Sequence, residues 1–357
     1  MTDNALVFIG TQDTGVHAAR LDAATGRLSP AGLIAEIERP TWVLPDPRKP
    51  RLFAVSEVGN AGDRTGDVFS FAVDVRSGTL REAGRTPSAG GGPTHLAITP
   101  DGRNLFVANF GGGQVAVVPV VDYGSLRTAS SVQQTFGNGP HRRQQGPHAH
   151  GVTLDPSGSW LLVPDMGSDR IFLYRYDGGA RQITPHEMPY LQLPAGCGPR
   201  LVLFGRDGRY AYLLSELSAE IFVLEWDAPS GTLAPRGSVA MDPPHMEGRS
   251  AAAFAISADG RFLYASNRRT HAIHVFAIDA ENGGLREVQV VDAGGIRPWA
   301  VEIAPGERWM LIANQGSDTV NVCSVDPVSG CLGAVSDMLE IPTPTSFAVI
   351  PSDLTSS

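Results

Sequence analysis

Along this chain, apolar residues trade places with polar or small ones at every second position in short runs. The three-to-four spacing of an amphipathic helix is almost absent. One series of runs reads GVHAAR, DVFSFAV, QVAVVPV, RIFLYRY, EIFVLEW, AIHVFAI and TVNVCSV. A second series, RLFAVSE, NLFVANF, WLLVPDM, YAYLLSE, FLYASNR and WMLIANQ, stands before it, usually after Asp-Gly-Arg. A third opens each group behind a proline or glycine: RPTWVL, GPTHLAI, GPHAHGVTL, GPRLVLF, GRSAAAFAI, RPWAVEI and TPTSFAVI. β-Branched and aromatic residues in alternation, broken by Asp-Gly and Ser-Gly, predict strands joined by tight hairpins. No segment predicts a helix of ordinary length.

The groups repeat. A phrase ending Gly-x-Leu closes them at 21–28, 73–80, 226–233, 278–285 and 325–332, with degenerate copies at 121–126 and 176–180. The opening residues Pro40, Pro93, Pro147, Pro199, Arg249, Pro298 and Pro344 stand 46 to 54 positions apart, the period of a propeller blade. Seven repeats of three or four strands predict an all-β, seven-bladed β-propeller, one domain over residues 1–357. The ends fit closure. Residues 342–350 are an opening strand with no second half, and residues 5–28 are a second half with no opening. Pairing them in one blade shuts the ring and removes two exposed edges.

Composition narrows the function. With 28 Lys and Arg against 37 Asp and Glu, the formal net charge is −9, which argues against a broad nucleic-acid or anionic-membrane footprint. Cys197, Cys323 and Cys331 include no Cys-x-x-Cys pair, so neither a disulfide framework nor a zinc knuckle is expected. No apolar run approaches the roughly 18 residues of a membrane span. The opening MTDNALVFIG has an acid at Asp3 and no basic region, unlike a signal peptide. A cytoplasmic monomer or homodimer without a cofactor is the expectation.

In a radial repeat, scaffold positions recur and function shows where the repeat breaks. One slot at the end of the second strand reads Ser56, Asn109, Asp165, Ser215, Asn267 and Asn314, small polar residues suited to turns. The next slot reads Glu57, Phe110, Met166, Glu216, Arg268 and Gln315, a mixture no scaffold requires. A slot one residue after the opening position, or three in the third and fifth groups, reads Thr41, Thr94, His150, Arg200, Ala252, Trp299 and Thr345 in its turn. His150, Arg200, Glu216 and Arg268 therefore come from three consecutive blades. If they converge, an imidazole, a carboxylate and two guanidiniums can activate water and hold an oxyanion or acid group. Rim charges and blade-to-blade salt bridges are the plainer alternative.

These residues carry a resemblance. The segments 92–113, 142–174, 198–217 and 259–268, above all GPHAH with VPDMGSDR, resemble the lactonase family of seven-bladed propellers. That family includes bacterial 6-phosphogluconolactonases and fungal carboxymuconate cyclases. The resemblance implies a catalytic set of His150, Arg200, Glu216 and Arg268, supported by His148, Asp165 and Arg170, with no metal. Glu57 and Gln315, from the irregular slot, join the substrate-binding candidates. The implied reaction is lactone hydrolysis, with Glu216 or His150 taking a proton from water. One arginine would meet the oxyanion and the other an acid group of a small lactone. A lactonizing isomerase and a non-catalytic binding propeller are the alternatives. Two departures make the expected pocket more apolar and point away from 6-phosphogluconolactone toward a less polar or unphosphorylated lactone: Leu201 stands where the family has His, and Ala253 where it has an acid.

Other features are weaker. HRRQQ at 141–145 reads equally as a substrate-facing basic loop or a solvated charge run. His95 is expected to pack against its neighbour. Trp42 and Trp299 suit space-filling better than sugar stacking. Glu57, Asn109, Asp165 and Asn314 could gather as Ca²⁺ ligands, the less favoured arrangement.

Overall fold

The computed structural model describes residues 4–351 and 354. The leader reading falls partly on residues 1–3, outside the described residues. Seven four-stranded antiparallel sheets carry the fold, as the repeat predicts. The one helical turn among the described residues is the three-residue Asp122–Gly124. No helix among them is long and apolar enough to cross a membrane.

Six sheets are built from strands consecutive in the chain. The seventh is not. Pro344–Pro351 lies beside Ala5–Thr11, with Val7 opposite Val349 and Phe8 opposite Ala348, followed by Thr14–Leu21 and Leu28–Glu38. The terminal segments thus complete one blade, as their unmatched halves predict.

The chain forms two compact units, one of residues up to 54, 71–82 and from 252 onward, the other of 55–70 and 83–251. In the first, Val7, Ile9, Leu311, Val320, Val322 and Phe347 make one apolar cluster, and Ile273, Val275, Met310 and Ile312 belong to another. In the second, Phe106, Val117, Leu161, Phe172 and Tyr174 form one cluster, and Leu162, Leu213, Phe222 and Trp226 another. Each large side chain so buried stabilises the fold by about 1.5–3 kcal/mol.

Second strands such as Asn104–Asn109, Trp160–Asp165 and Tyr210–Ser215 are buried along their whole length, on both faces. Last strands such as Leu80–Pro87 and Thr232–Ala240 are largely exposed. The repeated phrases have matching physical roles. In Asp-Gly-Arg the carboxylate accepts the backbone N–H two residues on, at Asp101, Asp207 and Asp259, and the glycine takes a positive φ of 70–76°. In Gly-x-Leu the glycine also admits a neighbour. A Cβ on Gly231, at φ 70°, would stand 2.5 Å from the Trp160 ring, whose Nε1 donates to the Ala228 carbonyl at 2.9 Å. Gly26 and Trp309 repeat the arrangement in the first unit.

Candidate active site

The irregular slots acquire their side-chain directions from broken register. In the strand Pro199–Phe204, pairing slips between Pro199 and Leu201, so Arg200 occupies a bulge. Thr94 and Trp299 occupy the same position in their own blades. A bulge leaves one residue out of the ladder and re-aims its side chain. His150 lies between the bridge Ala149–Asp165 and the pair Thr153–Leu162, which are out of step by one residue. Glu216 follows Tyr210–Ser215 and is fixed by its backbone, its N–H donating to Gly198 (2.7 Å) and its carbonyl accepting from Ala251 (3.1 Å).

Three expected residues meet in the second unit. One nitrogen of Arg200, Nη1, donates to His150 Nε2 and to Glu216 Oε2, each at 2.5 Å. The side chains of His150, Arg200 and Glu216 are only 9%, 7% and 1% exposed. Burial first, and the Arg200 charge second, hold the His150 pKa well below 6.5, while Glu216 pulls it back up. Neutral His150 accepts at Nε2, so its proton sits on Nδ1, which is buried with no hydrogen-bond partner. Burial lowers the Arg200 pKa too, and the Glu216 charge and hydrogen bond oppose this, with Glu57 adding to them. Glu57 accepts from the Asn60 amide at 2.8 Å.

The neighbouring candidates divide. His148 stacks on Phe110, ring centroids 4.4 Å apart, and Nδ1 faces the Phe110 carbonyl at 2.8 Å. A carbonyl only accepts, so that contact places a proton on Nδ1. His150 meets the same Phe110 ring edge-on at 5.4 Å. Asp165 is fully buried, and its Oδ1 accepts the N–H groups of His148 and Ser168 and the Ser168 hydroxyl. It holds the backbone that presents the two histidines. Arg170 lies 4.2 Å over the Tyr190 ring and donates to the Phe136 carbonyl and the Gln192 amide. Asn109 donates to the Ser88 carbonyl, the turn role its slot predicts.

Arg268 and Gln315 belong to the first unit. The Arg268 guanidinium is buried, 4.3 Å over the Trp299 ring, and the Gln315 amide donates to Gln12 Oε1 at 3.0 Å. Both departures from the family pattern are buried and apolar. Leu201 pairs with Leu214, and Ala253 joins the cluster around Tyr264.

Sequence reasoning missed two supports and left a third undecided. Arg143, in the basic loop, donates through Nη1 to Glu216 Oε1 at 2.5 Å. Gln144 is fully buried, its amide donating to the Met166 carbonyl and Asp169 Oδ1. Asp169 also accepts the N–H groups of Gly196 and Gly198, joining the Arg143 loop to the segment before Arg200. A signal was present: Asp169 lies within the VPDMGSDR motif, and polar Gln144 interrupts a loop of charges. His95 does pack close by, accepting from the Val152 N–H at 3.4 Å, and burial, helped by the Arg200 charge, lowers its pKa to about 3.

A family model described as "Lactonase, 7-bladed beta-propeller" matches residues 6–349. The 6-phosphogluconolactonase of Bacillus subtilis (strain 168) is 28% identical over 343 residues, 94% of this chain and 96% of its own length. That of Sodalis glossinidius is 31% identical across 74% of this chain and 76% of its own. The solved Pseudomonas aeruginosa periplasmic gluconolactonase, PpgL, superimposes with a TM-score of 0.92 at 33% identity, covering 98% of this chain and 99% of that one. A relative titled periplasmic means that similarity does not fix the compartment.

Proposed function

Because the chain belongs to the seven-bladed β-propeller lactonase family, we propose that it hydrolyses the ring ester of a sugar-acid lactone, with arginine rather than a metal ion supplying the positive charge. The relatives' names, 6-phosphogluconolactonase and gluconolactonase, support the substrate class. The observation that carries the reading is Arg200 Nη1 held between His150 Nε2 and Glu216 Oε2, buried on all sides.

Glu216 is the base in this mechanism. The His150 lone pair at Nε2 already accepts from Arg200, so the imidazole has no basic nitrogen to offer. Glu216 Oε1 takes a proton from water, and the water oxygen bonds to the lactone carbonyl carbon. The tetrahedral oxyanion collects its charge beside Arg200, in a site where burial strengthens the attraction. The bond to the ring oxygen then breaks, and that oxygen takes the proton from Glu216. The product is a hydroxy acid, whose ionisation releases one proton to solvent. His150 Nδ1–H is a donor for a substrate oxygen, and the aromatic face shared by Phe110 and His148 is suited to the sugar ring.

Titration of acid release at constant pH, on glucono-δ-lactone and its 6-phosphate, tests this reading. Wild type should release acid with or without chelator. Glu216→Gln should lower kcat/KM by about 10²-fold or more, the scale of a general base. Lactone consumption without acid release would indicate isomerisation, and silence on both lactones would remove the hydrolytic reading.

A further inference from the structure

The slot at the end of the second strand holds Ser56, Asn109, Asp165, Ser215, Asn267 and Asn314, and of these only Asp165 carries an acid. Two of the amides show what the position does. Asn109 Nδ2 donates to the Ser88 carbonyl at 3.1 Å, and Asn314 Nδ2 to the Ala293 carbonyl at 3.2 Å. Ser88 and Ala293 each follow the outer strand of the preceding sheet, and their N–H groups donate to Gly66 and His271, the residues before a third strand. Thr135 is the matching residue for Asp165. It follows the outer strand Ser131–Gln134, and its N–H donates to the Gly113 carbonyl at 2.9 Å. Asp165 thus stands where its sister residues donate, and a carboxylate has nothing to donate.

The two oxygens of this carboxyl are unequal. Oδ1 accepts the His148 N–H at 3.0 Å, and the Ser168 N–H and hydroxyl at 2.9 Å each. Oδ2 is buried with no hydrogen-bond partner. Burial raises the Asp165 pKa, and hydrogen bonds with Thr135, His148 and Ser168 and the His148 charge offset only part of this. The single hydrogen of the Thr135 hydroxyl is directed to the Gly113 carbonyl at 2.8 Å, so toward Asp165 that hydroxyl presents a lone pair. An ionised Asp165 would set lone pair against lone pair in a buried space. Among the described residues no cation pairs with it. Arg170 is directed to Phe136, Gln192 and the Tyr190 ring, Arg175 to the Trp160 ring and Arg143 to Glu216, while Arg142 is exposed. His141 accepts the Arg143 N–H, and Asp169 accepts from Gln144, Gly196 and Gly198. The titratable neighbours left are His148 and the buried phenol of Tyr174, whose pKa burial raises first and Asp165 second.

We propose that Asp165 is a neutral carboxylic acid in the folded protein, its Oδ1 holding His148 and its Oδ2–H donating to the Thr135 hydroxyl, so that one side chain pins both ends of the loop 135–148. The proton does for Asp165 what the amide hydrogens do for Asn109 and Asn314. It also removes the cost of an unpaired buried charge. The pinned loop carries Arg143 to Glu216, and the chain leaves it two residues before His150. Asp165 is therefore a positioning residue, acting on the site through the backbone it clamps. Its part in catalysis rests on the hydrolytic reading of that site, whereas its protonation does not.

Infrared difference spectra of wild type against Asp165→Asn, on the full chain at pH 7, read the proton directly. A carboxylic-acid C=O band that the variant lacks is expected, and a carboxylate band in its place would overturn the assignment. Thr135→Val should move that band to the higher frequency of a free acid; an unmoved band would remove Thr135 from the clamp. Urea unfolding at pH 4 and pH 7 reads the same proton by linkage. The unfolded side chain ionises near 3.8 and the folded one does not, so wild type loses stability against Asp165→Asn as pH rises. The ratio of their unfolding constants should shift by at least about tenfold in favour of asparagine. No shift, the opposite shift, or an asparagine variant that does not fold would each overturn the proposal. On glucono-δ-lactone, Asp165→Ala should lower kcat at least about tenfold through misplaced groups, and Asp165→Asn should recover most of that loss. Equal loss in both would show that the charge is required. If wild type hydrolyses no lactone, the hydrolytic reading falls while the infrared and urea results still decide the protonation. They decide it too if Asp165→Ala does not fold.

Discussion

Glu216→Gln separates the two arginines by energy as well as by geometry. The substitution preserves shape and removes one negative charge from a cluster holding Arg200 and Arg143 as cations and His150 as a neutral ring. Arg200 then remains buried with its nearest counter-charge gone. Breaking a buried pair in this way costs roughly 3–5 kcal/mol. About 3 kcal/mol is expected here, because the glutamine oxygen still accepts a hydrogen bond from the guanidinium. Arg143→Gln removes an equally short contact and should cost less, about 1–2 kcal/mol, because the half-exposed Arg143 strands no buried cation while the buried Glu216 Oε1 loses its charged donor. Paired replacement, Arg200→Met with Glu216→Leu, removes both charges and should return to within about 1 kcal/mol of wild type. Urea unfolding at pH 7 of wild type, the two single variants and the paired variant measures all the terms. Equal losses for Glu216→Gln and Arg143→Gln, or none for Glu216→Gln, would refute the argument that burial rather than distance sets the strength of these pairs.

Two further outcomes follow from the supports of the site. The His95 pKa drops from 6.5 to about 3 on folding, so the unfolded chain binds the proton first as pH falls. The stability His95 confers is complete above pH 6.5 and lost toward pH 3, about 2 kcal/mol of it between pH 7 and 5. His95→Gln should flatten that limb by the same amount in urea titrations at the two pH values, leaving the parallel contribution of His150. Asp169→Asn keeps a residue tolerant of the positive φ of 54° but withdraws charge from the bonds to Gly196, Gly198 and Gln144. A loss of about 1.5–3 kcal/mol is expected on unfolding, the worth of hydrogen bonds to a charged group. Wild-type stability in that variant would show that the two loops hold themselves.

The blades were legible in the sequence because what makes a blade is local. Alternation places side chains on the two faces of a strand, an aspartate accepts from a backbone N–H two residues on, and a glycine supplies a positive φ. Each rule operates within a few residues, so seven copies remain visible in one chain. Closure was legible for a related reason: the segments 342–350 and 5–28 are incomplete copies of one local pattern, and Val7 opposite Val349 is their completion.

The residues that break the pattern were also readable, since a scaffold position occupied by His150, Arg200 or Glu216 has no scaffold reason to hold a charge or an imidazole. What tertiary structure alone decided is how those groups divide their hydrogen bonds. Arg143 lies 73 residues before Glu216, and no periodicity links a loop arginine to a carboxylate beyond a distant strand. That His150 spends Nε2 on Arg200, and that Asp169 ties the Arg143 loop to the segment before Arg200, depend on bulges and burial. Composition does not encode either. Sequence supplies the chemical groups through local rules, and long-range packing decides which lone pair, which proton and which charge is left to act.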